Sequence, residues 1–310
     1  MSSRLSRLSR LSRLSRLSRL SRLSRSAAVV TVSALAVVLA GGSLWAQAPA
    51  RPAGGGAGGF RFTQPEPIDW DNHEGWTSLF DGKTLTNWDG PTDVWHVEDG
   101  AIVGVSSDEH PSGTTNIIYK GGEFGNFRLR LEMKLEGAGA NGGVQYRSRL
   151  VAPVERTLPA DATPEMKARF AKGQEMAKMR AKWNMAGYQA DYDYNNRYTG
   201  QLYEQSSDRG IITYRGQIVD CEGNGQKKRL MGAVGNIDEL KQYIHQDGWN
   251  QVEIIADGHM LTHIINGHVM SVTLDTDPAK MASMGLIALE IEGGGTLKIS
   301  HRNIYIKKLP

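Results

Sequence analysis

The chain has 310 residues with 36 Lys plus Arg against 33 Asp plus Glu, but the charge is unevenly spread. Residues 1–48 hold eight of the Arg and no acid, which leaves 28 basic against 33 acidic residues beyond them. The basic excess therefore belongs to the leader and gives no grounds for a nucleic-acid partner, while a lone Cys221 excludes an intramolecular disulfide.

The first element is that leader. Residues 4–25 repeat Ser-Arg-Leu, an apolar run follows through Ala40, and Ala46-Gln47-Ala48 supplies a small-residue exit. This order predicts a Sec-type signal peptide over residues 1–48, with cleavage after Ala48 and a periplasmic or secreted product. The apolar run falls short of the roughly 20 residues that span a bilayer, so no stable membrane span is expected after cleavage. Residues 49–66, rich in Pro, Ala and Gly, read as a flexible linker. Residues 67–310 are the length of one large all-β domain.

Within that domain short strand-like runs dominate. Trp95-His96-Val97-Glu98, a turn at Asp99-Gly100 and Ala101-Ile102-Val103-Gly104 predict a hairpin. Residues 115–120 predict a strand. In residues 127–136 the apolar Phe127, Leu129, Leu131, Met133 and Leu135 alternate with charged residues, so one side is core. Further strands are predicted at 142–150, 187–194, 200–204, 211–215, 250–256, 260–265, 269–274, 285–292 and 296–307, with a tight turn at Asn266-Gly267. Two helices interrupt them. Thr163 caps one that opens on Pro164 and runs to about Trp183, and Asn236 caps a shorter one. The first is either an amphipathic helix packed on the edge or a lid over a groove. Many short strands joined by turns predict a two-sheet antiparallel sandwich with a short inserted helix.

The polar strands carry the chemistry. Asn141-Gly142-Gly143-Val144-Gln145-Tyr146-Arg147-Ser148-Arg149 and Gly187-Tyr188-Gln189-Ala190-Asp191-Tyr192-Asp193 are rich in amides, carboxylates, guanidiniums and phenols. Since successive side chains take opposite faces, Gln145, Arg147 and Arg149 are expected to share one surface, and Gln189, Asp191 and Asp193 another. If the two coincide, they form a floor of donors and acceptors suited to a sugar.

The ordered motifs Leu79-Phe80-Asp81-Gly82-Lys83-Thr84-Leu85, Trp95 to Gly104, Gly121-Gly122-Glu123-Phe124-Gly125-Asn126-Phe127, the two polar strands, Leu202-Tyr203-Glu204, Trp249-Asn250, Ile265-Asn266-Gly267 and Arg302-Asn303-Ile304 resemble the 3-keto-disaccharide hydrolase family. The resemblance covers nearly everything from Trp76 to Leu309. It implies a concanavalin A-like jelly roll and an exported bacterial enzyme acting on a carbohydrate already oxidised at carbon 3. A C3 ketone acidifies the C2 proton, so a base can remove it and expel the C1 substituent, after which water adds to the enone. Such a route needs a base, an acid for the leaving oxygen and a group that stabilises the enolate.

Asp191 and Glu204 are the first candidates for proton transfer, with His263 as a further base or metal ligand and a structural strand histidine as its other reading. Gln145, Arg147, Tyr188 and Gln189 are candidate sugar positioners. Tyr146 and Tyr203 are candidates whose other reading is packing with a satisfied hydroxyl. Arg215 is a candidate enolate partner, and Trp183 a candidate stacking platform. Near the C-terminus the resemblance implies a histidine where this chain has Glu292, which adds Glu290 and Glu292 to the candidates. So many carboxylates and amides leave a divalent metal such as calcium open, although no contiguous EF-hand-type loop is present. A non-catalytic carbohydrate-binding module and an ordinary two-carboxylate glycosidase are the alternatives.

Overall fold

Alternation of apolar and polar residues organises the chain. The structure, a computed structural model, describes residues 68–153, 157–223, 227–293 and 295–310, so the predicted leader and linker lie outside the described residues. The strands are β1 (Thr77–Ser78), β2 (Trp88–Asp89), β3 (Trp95–Glu98), β4 (Ala101–Ser106), β5 (Thr115–Tyr119), β6 (Phe127–Glu136), β7 (Asn141–Leu150), β8 (Met185–Asp193) and β9 (Leu202–Gln205). They continue as β10 (Gly210–Thr213), β11 (Gln217–Glu222), β12 (Lys227–Ala233), β13 (Asn250–Asp257), β14 (Met260–Ile265), β15 (His268–Asp275), β16 (Leu286–Glu292) and β17 (Leu297–Lys308). Helix α1 (Pro164–Met179), a 3-10 turn at Ala181–Trp183 and helix α2 (Ile237–Lys241) complete the set.

These strands build a jelly-roll sandwich of two sheets. One runs β12-β11-β15-β14-β13-β6-β17-β4-β3, with β1 against β17; the other runs β10-β9-β8-β7-β16-β5-β2. Nearly all pairings are antiparallel; β11 and β15 run parallel. On β6 the predicted alternation holds: Phe127, Leu129, Leu131 and Met133 are wholly buried, and they meet Val144, Ile287, Leu289 and Ile291 of the facing sheet in one core. On the other side of β6, Arg128 and Arg130 both bond Glu253, at 2.7 and 3.3 Å, and Arg130 also lies over Trp70 and Trp76.

The turns follow their residues. Asp99 and Gly100 have φ of 49° and 76°, and Asn266 and Gly267 have 49° and 79°. Two successive positive φ values are what a tight hairpin turn with the twist of its strands requires. Both predicted caps form: Thr163 accepts from the Met166 amide at 3.2 Å, and Asn236 accepts from Asp238 and Glu239. The predicted helix to Trp183 ends earlier, at Met179, and finishes as the 3-10 turn. No residue of α1 is buried; it is fastened at its C-terminal end, where Arg180 makes two bonds to Asp93 at 2.8 and 2.6 Å. Among the described residues no helix is long and apolar enough to cross a membrane.

β11 and β12 fall outside every predicted strand. β12 is an edge strand that leaves Leu230 and Met231 more than half exposed, so its apolar residues do not alternate toward a core.

Candidate functional site on the outer face of the seven-stranded sheet

Strand register decides which side chains can meet. Val144, Tyr146, Tyr188, Ala190 and Tyr192 point into the core between the sheets, so Gln145, Gln189 and Asp191 point outward. Across the sheet, one row reads Asn116, Glu290, Gly143, Asp191; the next reads Ile118, Ala288, Gln145, Gln189, Tyr203. A flanking row adds Glu292, Asn141 and Asp193. β5, β16, β7, β8 and β9 therefore contribute to one polar surface.

Gly143 is what lets the rows interlock. A Cβ there would stand 2.3 Å from Gln189 Nε2 and 2.4 Å from its Cγ, so the missing side chain is the space the Gln189 side chain occupies. Gln189 crosses that gap and donates to Glu290 Oε2, while Gln205 donates to Glu290 Oε1 at 2.9 Å. Glu290 is wholly buried beneath these amides. Burial, reinforced by the charges of Glu292 and Asp191, pushes its carboxyl well above the usual range.

Asp191 is half-buried and reachable. Burial pushes its carboxyl up to about 7; the bond from Gln201 Nε2 at 2.7 Å opposes the rise, and the charges of Glu292 and Asp193 add to it. Glu292, also half-buried, accepts from Asn141 Nδ2 at 3.3 Å. Among the described residues, three buried amide atoms of this face have no protein partner: Gln145 Nε2, Asn116 Oδ1 and Asn141 Oδ1. Buried polar atoms are normally satisfied, so such a group marks a place where water or ligand completes the bonding. Among the described residues no group of three or more His, Cys, Asp or Glu is arranged to hold a metal ion.

Trp183 borders these rows. Its backbone oxygen accepts from Asn116 Nδ2 at 2.9 Å, its indole nitrogen donates to Asp89 at 3.1 Å, and it packs against the cluster of Ile118, Met185 and Ala288. Tyr203, on the row of Gln189, is half-buried.

Several predicted site residues lie elsewhere. Gln145, Arg147 and Arg149 do not share one surface, because the register shifts between Tyr146 and Arg149 and Arg147 takes φ of 45°. The bulge turns the Arg147 guanidinium onto the carbonyl oxygens of Gly125, Gly258 and Ala282 and onto Asn126 Oδ1, at 2.8–3.2 Å. Arg147 is therefore a buried strut rather than a sugar positioner. Tyr146 and Tyr188 face the core: the Tyr146 hydroxyl meets His263 Nε2 at 2.9 Å and that of Tyr188 donates to Asp275 at 2.5 Å. Tyr192 likewise reaches His301, so three tyrosines rivet one sheet to the other.

His263 belongs to those rivets. It is 2% exposed, and burial holds its imidazole down to about 4, neutral at physiological pH and away from the polar face. Glu204 points to the side opposite Gln189 and is gripped by Arg209 through two bonds of 2.7 Å. Arg215 clamps the backbone carbonyls of Ile237, Thr199 and Asn196, not a ligand. Asp193 follows the outward alternation, but its carboxylate is taken by the Tyr198 amide at 2.6 Å and by Arg197.

Asn116, Gly143, Gln201 and Gln205 were not among the predicted site residues. Asn116 carried a signal, a lone amide inside the apolar run Thr115–Tyr119, and Gln205 stands two residues beyond Tyr203 on the same strand face.

The sequence pattern of the family described as 3-keto-alpha-glucoside-1,2-lyase-like domain matches residues 75–307. No curated protein matches the chain. Among solved structures, the chain is similar to a protein of Parabacteroides distasonis named a putative glycosyl hydrolase, at 22% identity over 76% of this chain and 99% of that one, with a TM-score of 0.43. It is also similar to the carbohydrate binding module CBM66 of Bacillus subtilis, at 12% identity over 72% and 96% of the two chains, TM-score 0.41. A Bacillus licheniformis β-glucanase gives 10% identity over 76% and 97%, TM-score 0.39.

Proposed function

The chain belongs to the 3-keto-alpha-glucoside-1,2-lyase-like domain family, and on that premise we propose that it is an exported enzyme cleaving 3-keto-glycosides at the polar face around Asp191. The observation that carries this reading is Asp191 itself: a reachable carboxyl whose surroundings push it to about 7, held by the Gln201 amide on a polar face. A base works best when its pKa lies near the working pH, since enough of it is ionised and it still binds a proton firmly.

In this reading the ionised Asp191 takes the C2 proton of the keto-sugar. The electron pair of the C2–H bond becomes the enolate, and collapse of the enolate expels the C1 oxygen. The proton that Asp191 has taken passes to that departing oxygen, beside Glu292, the second half-buried carboxyl on this face. Water then adds to the C1=C2 bond of the enone, so the net change is hydrolysis. Glu290 is a positioning residue, since it is buried under the two amides it holds. Trp183 supplies an apolar edge for the ring's C–H face.

The test is to incubate the purified chain with a 3-keto-glucoside and with its unoxidised parent, and to follow release of the C1 substituent from pH 5 to 9. Release from the ketone alone is expected, with kcat/KM rising through an apparent pKa near 7. Equal release from both sugars would favour an ordinary glycosidase, and release from neither a binding protein.

Gly143→Ala tests the interlock. Its φ is ordinary, so the backbone tolerates Ala, but the new Cβ must push Gln189 off Glu290. Turnover should drop by at least about tenfold with the fold retained, because a misplaced positioning group loses orientation rather than stability. Unchanged kcat with an unchanged circular dichroism spectrum would show that the Gln189–Glu290 contact has no part in the reaction.

A further inference from the structure

A cavity of about 300 Å³ opens beside these rows, with Arg149, Gly187, Gln205, Ser206, Ser207 and Lys280 in its wall. Gln205 joins it to the site, since the same side chain donates to Glu290. Gly187 stands four residues before Asp191 on β8, a distance of about 13 Å along a strand. That span suits two linked sugar rings, one over Asp191 and Gln189 and the other in the cavity.

The wall carries two cations, Arg149 and Lys280, and two anions, Glu204 and Asp208. Lys280 is paired with Asp208, and Glu204 is held by Arg209 from behind. Arg149 is exposed and makes no ion pair or hydrogen bond among the described residues. Of these four charged side chains, Arg149 alone has no ion-pair partner among the described residues. A guanidinium offers paired, coplanar N–H donors that fit a carboxylate or a phosphate ester.

We propose that this cavity receives the group released from C1, and that this group is a polar ring bearing one negative charge, held by Arg149. Release from C1 rests on the keto-glycoside reading, whereas recognition of an anionic sugar stands on the cavity and on Arg149. Among the described residues none that lines the cavity is aromatic, and Ser206, Ser207 and Gln205 offer hydroxyl and amide groups to a polyhydroxylated ring.

The test uses free sugars that carry no ketone. The purified chain is titrated calorimetrically with glucuronate, glucose 6-phosphate and glucose, and the titrations are repeated with Arg149→Gln. At least one acid should bind about tenfold more tightly than glucose, as a charge-assisted hydrogen-bonded pair in a partly enclosed site provides. In Arg149→Gln that advantage should vanish while glucose binding stays the same; the difference also separates the cavity from the Arg-rich leader. A gain for glucuronate alone identifies a carboxylate group, a gain for the phosphate alone an ester, and a gain for both a site that reads charge. Equal binding of all three, or an acid preference that survives Arg149→Gln, overturns the proposal. Because no turnover is involved, inactivity toward a 3-keto-glucoside would sink the catalytic reading and leave this result standing.

Discussion

Asp191→Asn is expected to lower turnover of a 3-keto-glycoside by about 10²–10⁴-fold, the usual contribution of a positioned proton acceptor, while leaving KM nearly unchanged. The same substitution should make the protein more stable in alkaline buffer. The Asp191 carboxyl sits at about 7 in the fold against 3.8 when unperturbed, so the folded state holds its proton over a range where the unfolded chain has lost it. A raised carboxylate pKa means that stability falls as pH climbs from the unfolded to the folded value and then levels off. Asn carries no such liability, and its side-chain oxygen can still accept from Gln201.

The difference between variant and parent should therefore be near zero at pH 4, grow through pH 7 and flatten above it, at a few kcal/mol on the order of magnitude that such a shift implies. Urea denaturation at pH 4.5 and 8.5 measures it. Lost turnover together with gained stability is the signature of a strained functional carboxyl; lost turnover with lost stability would place Asp191 among the structural ion pairs instead.

The contrast between what the sequence made legible and what it hid follows from one physical distinction. Periodicity in β6 and the Asp-Gly and Asn-Gly turns are local signals, and local signals name strands and hairpins reliably. Which face a polar side chain takes depends on register, and a single bulge resets it. The shift at Arg147 sends that residue to three backbone carbonyls although it sits two residues from Gln145. A resting alternation count cannot see the bulge. Nor does composition distinguish a tyrosine that grips sugar from one that bonds across a core: Tyr146 and Tyr188 lie in the same motif as Gln145 and Gln189, on the other side of the sheet. Gly143 belongs to a legible motif, but its purpose, space for a neighbouring amide, exists only once two strands are side by side.

Glu204 shows the same distinction in energetic form, and Arg209→Met is the variant that exposes it. Arg209 is the shared partner of Glu204, through two bonds of 2.7 Å, and of Asp275, at 3.0 Å, with both carboxylates buried. Burial works against the guanidinium charge, but the two carboxylates outweigh it and keep Arg209 above its usual pKa. Removing that cation strands two anions in a low-dielectric interior, and breaking a buried pair in this way costs about 3–5 kcal/mol. Asp275 also accepts from the Tyr188 hydroxyl, so the loss reaches one of the rivets between the sheets. The urea midpoint of Arg209→Met should fall sharply, while the fraction still folded in the cold should keep its turnover, because Glu204 pairs with Tyr188, on the side of the sheet opposite Gln189. Glu204→Gln supplies the companion measurement: it should shift the midpoint in the same direction and leave kcat within about twofold, as expected for a group outside the transition-state contacts. A hundredfold loss of kcat at an unshifted midpoint would return Glu204 to the chemistry and move the reacting centre toward the Arg149 cavity, whose wall it shares.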